Sequence, residues 1–558
     1  MVVDSRALRD GPIMKRIMLL TVAATVLSLG ATNADAESWD VLIRGATVID
    51  GTGAPGFAAD VAIQDGKIAF VGDAGEHDAA TVLDAAGLVL TPGFIDVHNH
   101  VSSIARHPER FAPIDFTNSA YLLQGVTTIV SGPDGGSAPA EIRKELAFFD
   151  EHGFGTNYAY YVGHNGIREQ VMGHDQRAPT ADELERMKAL VREGMEMGAV
   201  GLSTGLMYDP GMFSTTEEVI ALAREVAPYD GTYDSHTRDP VMALIDSYSE
   251  AIEIGAAAGI PSKIAHAKAV GLRNEGRMQE FVALVEARRA AGFDVVSDQY
   301  PYDGAATSTL VGIIILPAES AAESDSGQRD LAREALSDPD TRAETKELSE
   351  NGRNGGFSWI KAVGYGSMRI VDAPGNPDLV GENLELLARK REQDPFSLVA
   401  DLILAADQPI LITLGAVAEK DVRTLLVQPW NMICSDGGYV HGDKGSQHPR
   451  STGSFSRVLG HYVREEGLLT LPEAVRKMTS LPADHLRLYD RGRIEAGQVA
   501  DIAVFDPETV AARSTWTDPR ALAVGMVHVL VNGVPVVRDS EVTGALPGEF
   551  VPRQSGKD

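Results

Sequence analysis

A single cysteine, Cys434, occurs among 558 residues, so no disulfide can form within the chain and no thiolate cluster can hold a metal. Basic residues are scarce. Lys and Arg number 49 against 79 Asp and Glu, a formal net charge of −30, and so acidic a surface argues against nucleic acid as a partner. No apolar run reaches the roughly 18 residues that a stable membrane anchor needs, and no repeat of fixed period or low-complexity tract occurs. What is present is ordinary globular material. Hydrophobic residues make up 44% and charged residues 23%, which excludes disorder and allows a large core.

Residues 14–36 read as a signal peptide: Lys15 and Arg16 begin it, residues 17–30 form a short apolar run, and Ala34, Asp35 and Ala36 make an A-x-A cleavage site. The expectation is cleavage after Ala36 and a periplasmic or secreted product. Residues 39–92 alternate short β-rich runs (DVLIRGATVID, DVAIQDGKIAFVG, TVLDAAGLVLT) with Gly and Asp turns, and DIAVFD and HVLVNGVPVV give residues 486–545 the same texture. One small β-sandwich domain built from both termini is expected.

Between them, over residues 93–485, apolar runs alternate with amphipathic helical stretches, the pattern of βα units. Eight runs can be counted: GFIDVHNHV, GVTTIVSGPD, TNYAYYVGHN, AVGLSTGL, GTYDSHT, PSKIAHAK, DVVSDQYPY and NMICSDGG. Eight is the number that closes a TIM-type (β/α)8 barrel. Thr180 with Glu183, and Thr215 with Glu218, have capping-box spacing at the starts of two of its helices. Residues 309–428 are too many for a βα loop and predict an inserted subdomain, a lid over the barrel mouth.

His98 and His100 lie two apart on the first run, where strand alternation turns both toward the interior. Asp134, His164, His236, His266 and Asp436 each follow another run, at the C-terminal mouth where barrel active sites are built. Any one of them alone reads as a loop or core residue; their coincidence reads as a metal centre. Imidazole and carboxylate ligands without thiolate favour zinc, with manganese, cobalt or iron as alternatives. Zinc lowers the pKa of a coordinated water to about neutrality and polarises a carbonyl, while Asp436 can receive the water's proton and deliver it to a leaving nitrogen. Cys434 reads as a small buried thiol, although its spacing from Asp436 also allows a metal role.

Longer motifs carry a resemblance. VGHNGIREQVMG, GLSTGLMYDPG, DSHTRD, IAHAK, DQYPY, CSDGG, HPRSTGSFSRVLGHYVREEG, AVRKMTSLPA and VADIAVFDP, spread over residues 39–537, are similar to the N-acyl-D-amino-acid deacylase (D-aminoacylase) family of the amidohydrolase superfamily. The resemblance implies a barrel with a small β-domain and hydrolysis of the amide bond of a small N-acyl amino acid on one or two zinc ions. It implies that His236 and His266 form the tight site, His98 and His100 the second, and that Asp436 is catalytic. Lys268 and Arg450 then match residues that hold the substrate carboxylate, with Tyr208, Tyr300 and His164 among the substrate contacts.

The sequence departs from the family at three places. GPDGG puts Asp134 where the family's GNCG carries a cysteine ligand, and P-D-G-G is also good turn sequence. The insertion YVHGDKGSQ precedes Arg450 and could displace it, and AATS stands at residues 305–308 where the family often carries a serine against the substrate. Two other readings fit the same residues: a different amidohydrolase task, such as a dipeptidase, cyclic amidase or xenobiotic amidase, or a barrel that binds without catalysis.

Overall fold

The computed structural model describes residues 38–317, 325–353, 357–415 and 417–555; the signal peptide expected at residues 14–36 lies outside them. The first strands are β1 (Trp39–Val48), β2 (Phe57–Gln64), β3 (Lys67–Gly72), β4 (Ala79–Asp84) and β5 (Val89–Pro92). The second group comprises β6 (Phe94–Asp96), β7 (Val126–Ser131), β8 (Asn157–Gly163), β9 (Gly201–Gly205), β10 (Thr232–His236), β11 (Ser262–Ile264) and β12 (Val295–Gln299). An insert carries β13 (Ala306–Thr309), β14 (Met368–Asp372) and β15 (Leu411–Leu414), and β16 (Asn431–Ile433) follows it. A hairpin, β17 (Val440–His441) and β18 (Lys444–Gly445), precedes the last strands β19 (Ile502–Phe505), β20 (Met526–Val531), β21 (Val534–Arg538) and β22 (Glu541–Val542).

β6 to β12 and β16 form one parallel sheet in sequence order. Its two edges meet through Asp436 N–H donating to His98 O at 3.0 Å and His100 N–H to Gly437 O at 2.8 Å, so the sheet closes between residues 98–100 and 436–437. The chain folds as a (β/α)8 barrel, and all eight strands coincide with the apolar runs read from the sequence. Every residue of β7, β8, β9, β10 and β12 is buried, as strands covered by helices outside and packed side chains inside must be.

The terminal strands form a single nine-stranded sheet in which β5 pairs with β19, Leu90 opposite Val504. Most of its pairs are antiparallel, but β1 runs parallel to both β4 and β5. Its core holds alternate residues such as Ile43, Val61, Ile63, Leu83, Ile502 and Leu530. Past Ala545 the chain returns to the barrel: Tyr158 N–H donates to Glu549 O and Val551 N–H to Tyr158 O.

The insert is a three-stranded antiparallel sheet, β13–β15–β14, with helices. It hangs on the loop after β12 through Ala305 N–H to Leu414 O and Val417 N–H to Asp303 O. It ends sooner than residue 428. Helix Glu419–Leu426 belongs to the barrel, because Asp421 accepts from Gly276 N–H (2.7 Å) and Met278 N–H (3.3 Å) at the start of helix Met278–Ala290 and so fixes the two helices together. The capping boxes differ as well. Thr180 and Glu183 bond reciprocally, but Glu218 returns only its backbone N–H to Thr215 and sends its carboxylate elsewhere.

Candidate metal centre and active site

Four histidines from three strand ends converge on Asp134. Its Oδ1 lies 3.6 Å from His98 Nε2, 3.5 Å from His236 Nδ1 and 3.4 Å from His266 Nε2, and its Oδ2 lies 3.7 Å from His100 Nε2. Asp436 Oδ1 approaches two of these histidines as well, 3.1 Å from His100 Nε2 and 3.6 Å from His98 Nε2.

Strand alternation alone does not produce this convergence. Asp134, His266 and Asp436 have φ of 56°, 34° and 47°, a region that side-chain-bearing residues seldom enter. At the end of each strand the backbone turns over and aims the side chain into the mouth. Asp134 is thus both turn and site residue. Gly136 N–H donates to Pro133 O, and Gly135 follows at φ 76°, where a Cβ would come within 2.1 Å of Asn165.

The donor set fits a metal ion. His98 Nδ1 and Nε2, Asp134 Oδ1 and His236 Nε2 are buried without a hydrogen-bond partner, a costly condition that coordination relieves. Ligand atoms group within coordination reach as Asp134–His236–His266, His98–His100–Asp134 and His98–His266–Asp436. The electrostatics agree. Burial disfavours ionised Asp134, yet His98 and the other imidazoles outweigh it and hold the carboxyl well below its usual range. Burial also disfavours protonated His98, but Asp134 and Asp436 carry its pKa up to about 9, the mark of a pocket that draws positive charge. His266 goes the other way, to about 3, through burial and neighbouring Lys268, and is left as the neutral imidazole that a metal takes.

Beside this cluster stands a cationic clamp. Arg450 NH1 lies 2.6 Å from Asp436 Oδ2, and its guanidinium sits 4.7 Å from the centre of the Tyr300 ring, with Lys268 Nζ 5.0 Å from the same ring. The residues before Arg450 fold out as the β17–β18 hairpin, and helix Arg450–Arg457 starts at Arg450. Lys268 does not reach the mouth by alternation, since β11 ends at Ile264. The turn at His266 delivers it instead, and Nζ donates to His266 O at 2.8 Å.

Tyr208 places its hydroxyl 3.2 Å from His236 Nδ1 while 44% of the residue stays exposed, so one end is wet and the other faces the cluster. Tyr300 spends its hydroxyl on Ala305 O (2.9 Å) and offers the pocket only its ring. His164 is fully buried, its Nε2 lies 3.1 Å from Glu218 and its Nδ1 faces Asn165, so it sits in a packed network with Arg168 and Glu218. Cys434 is a buried thiol, 3.3 Å from Asp298 and in none of the groups that could hold a metal among the described residues.

Sequence reasoning missed two sets of residues. His448 and Trp516 pack at 4.5 Å behind Tyr300 and Tyr302, and Trp516 arrives from the loop between β19 and β20, which no local pattern reveals. Asp234, Lys263 and Asp298 lie beneath the histidines; their signal was charge at inward-facing positions of otherwise apolar runs.

Residues 358–537 match the model of the Amidohydrolase family. A D-aminoacylase of Alcaligenes xylosoxydans xylosoxydans is 32% identical over 544 residues, covering 94% of this chain and 99% of that one. The chain belongs to the D-aminoacylase family. Among solved members of that family, the N-acyl-D-glutamate deacylase of Bordetella bronchiseptica, complexed with zinc and a phosphonate inhibitor, is 32% identical. Its TM-score is 0.73, over 93% of this chain and all of that one. A D-aminoacylase studied for its binuclear metal centre gives 32% identity and a TM-score of 0.71, over 92% and 100%.

Proposed function

We propose that this chain is a zinc-dependent deacylase that hydrolyses the amide bond of N-acyl-D-amino acids, with zinc held by His98, His100, Asp134, His236 and His266. The observation that carries the reading is the clamp of Lys268 and Arg450 against Tyr300, next to Asp436 and the histidines. A general amidase has no need of two cations there; an N-acyl amino acid brings a carboxylate to meet them, and Arg offers a planar fork for it. The relatives described above, two D-aminoacylases and an N-acyl-D-glutamate deacylase complexed with zinc, support the same substrate class and metal.

Zinc, when bound, acts as a Lewis acid on the scissile carbonyl and brings a water toward ionisation near neutral pH. The chain's own residues do the rest. Lys268 and Arg450 anchor the carboxylate and set the amide across the mouth. Asp436 keeps Oδ2 on Arg450 and turns Oδ1 toward the histidines, where it takes a proton from the attacking water and returns it to the departing nitrogen. The Tyr208 hydroxyl, beside His236, stands where it can donate to the carbonyl oxygen.

The test compares N-acetyl-D- and L-amino acids with their methyl esters or amides, following free amine released by wild type and Arg450→Ala. Wild type is expected to prefer the free acid, and Arg450→Ala to lose that preference through a raised KM, since charge-assisted bonds are worth roughly 1.5–3 kcal/mol each. Equal rates on acid and ester in wild type would remove the amino-acid deacylase reading and leave a broader amidase.

Export belongs to the same proposal, supported by the order of basic, apolar and A-x-A segments in residues 14–36. Protein recovered from an exporting host is expected to begin at Glu37. An intact leader on a cytoplasmic product would overturn it.

A further inference from the structure

Barrel interiors are built of apolar side chains, yet the layer below the histidines holds a wholly buried lysine between two wholly buried aspartates. Lys263 Nζ lies 2.5 Å from Asp298 Oδ2, 3.0 Å from Asp234 Oδ1 and 3.1 Å from Val97 O. Each partner adjoins a histidine of the metal centre. Val97 precedes His98, and Asp234 lies two residues before His236 on the strand paired with that of Lys263. Asp298 uses its second oxygen to accept the backbone N–H of His266 at 2.5 Å, at the residue whose φ of 34° needs outside support. One ammonium therefore links β12 to β6, β10 and β11 just where those three strands present their imidazoles.

A second observation sharpens its role. His98, Asp234 and Asp298 bring ligand atoms within 4.8 Å of one another, a group able to hold a metal ion, and the Lys263 ammonium pairs with both of its carboxylates. We propose that Lys263 is a positioning residue for the zinc centre: a built-in cation that braces the strands carrying His98, His236 and His266, and occupies the acidic pair that would otherwise draw the ion below its ligands. The inference rests on the metal-centre reading given above.

The experiment is a zinc titration of the full chain, with free zinc set by competing chelators and bound zinc counted by elemental analysis, and with folding followed separately by circular dichroism. In Lys263→Met the affinity is expected to fall by about 10- to 100-fold, the scale for losing an outer support of a ligand. Anomalous scattering is expected to find zinc displaced toward Asp234 and Asp298. A folded Lys263→Met that binds zinc at the His236–His266 position with wild-type affinity would overturn the proposal and leave Lys263 an ion pair of the core. Should Lys263→Met fail to fold, Asp298→Asn decides. It keeps an oxygen for His266 N–H but gives up the ionic link, so a fall of about tenfold supports the brace and wild-type affinity rejects it. Wild-type protein that binds no zinc would instead sink the metal-hydrolase reading itself.

Discussion

Asp436→Asn lowers turnover on N-acyl amino acids by about a hundredfold or more, the scale for losing a general acid and base, with fold and zinc content kept. Asparagine preserves the shape of the side chain, so the barrel closure at Asp436 N–H and His98 O survives. An amide cannot accept the proton that Oδ1 accepts. Burial works against ionised Asp436, but Arg450 first, then His266, the hydrogen bond from His100 and His98 hold the carboxyl well below its usual range, so a carboxylate is present throughout the neutral region. Zinc must be counted beside the rate, because His98, His266 and Asp436 also form a group that could hold an ion. Near-normal turnover would refute the proton-transfer role, and zinc lost in step with turnover would make Asp436 a ligand first.

The second large effect is expected from His266→Ala, which should remove nearly all bound zinc and activity, whereas His98→Ala leaves the Asp134–His236–His266 group whole and spares one ion. Both triads have three ligands, so number does not rank them; burial does. His236 and His266 are 7% and 6% exposed, while the His100 side chain is 36% exposed to solvent. The drier group, with neutral His266, is expected to be the tighter one. Asp134 belongs to both, so Asp134→Ala should weaken both ions and Asp134→Cys should keep binding. Equal zinc in wild type and His266→Ala, by elemental analysis after dialysis, would sink the ranking.

Most of the barrel and the cluster at its mouth were legible because burial on both faces leaves an unmistakable apolar run, and a polar residue at the end of such a run is conspicuous. The limits are equally physical. Period-two alternation describes strands, but β11 stops at Ile264, so the paths of His266 and Lys268 into the mouth depend on a left-handed turn that no alternation rule contains. His164 has the same position relative to its run as His236, yet Glu218 claims it. The identity of that partner depends on a helix 54 residues along the chain, where the spacing T-x-x-E had suggested a capping role. Lys263 was visible as a letter and invisible as a hub, since its meaning needs Asp234 and Asp298 from neighbouring strands.

The sheet shared by the two ends of the chain bears on how the molecule comes into being. β5 cannot find β19 until more than four hundred residues have been made, and Leu90 waits for Val504. Contacts so distant in sequence close late and slowly. During synthesis the first strands leave the ribosome with an unpaired edge, while the barrel between them can begin to assemble. The half-made β-domain is therefore the segment most open to misassembly and most in need of a holding chaperone, and the final strands serve as the seal that ends this exposure.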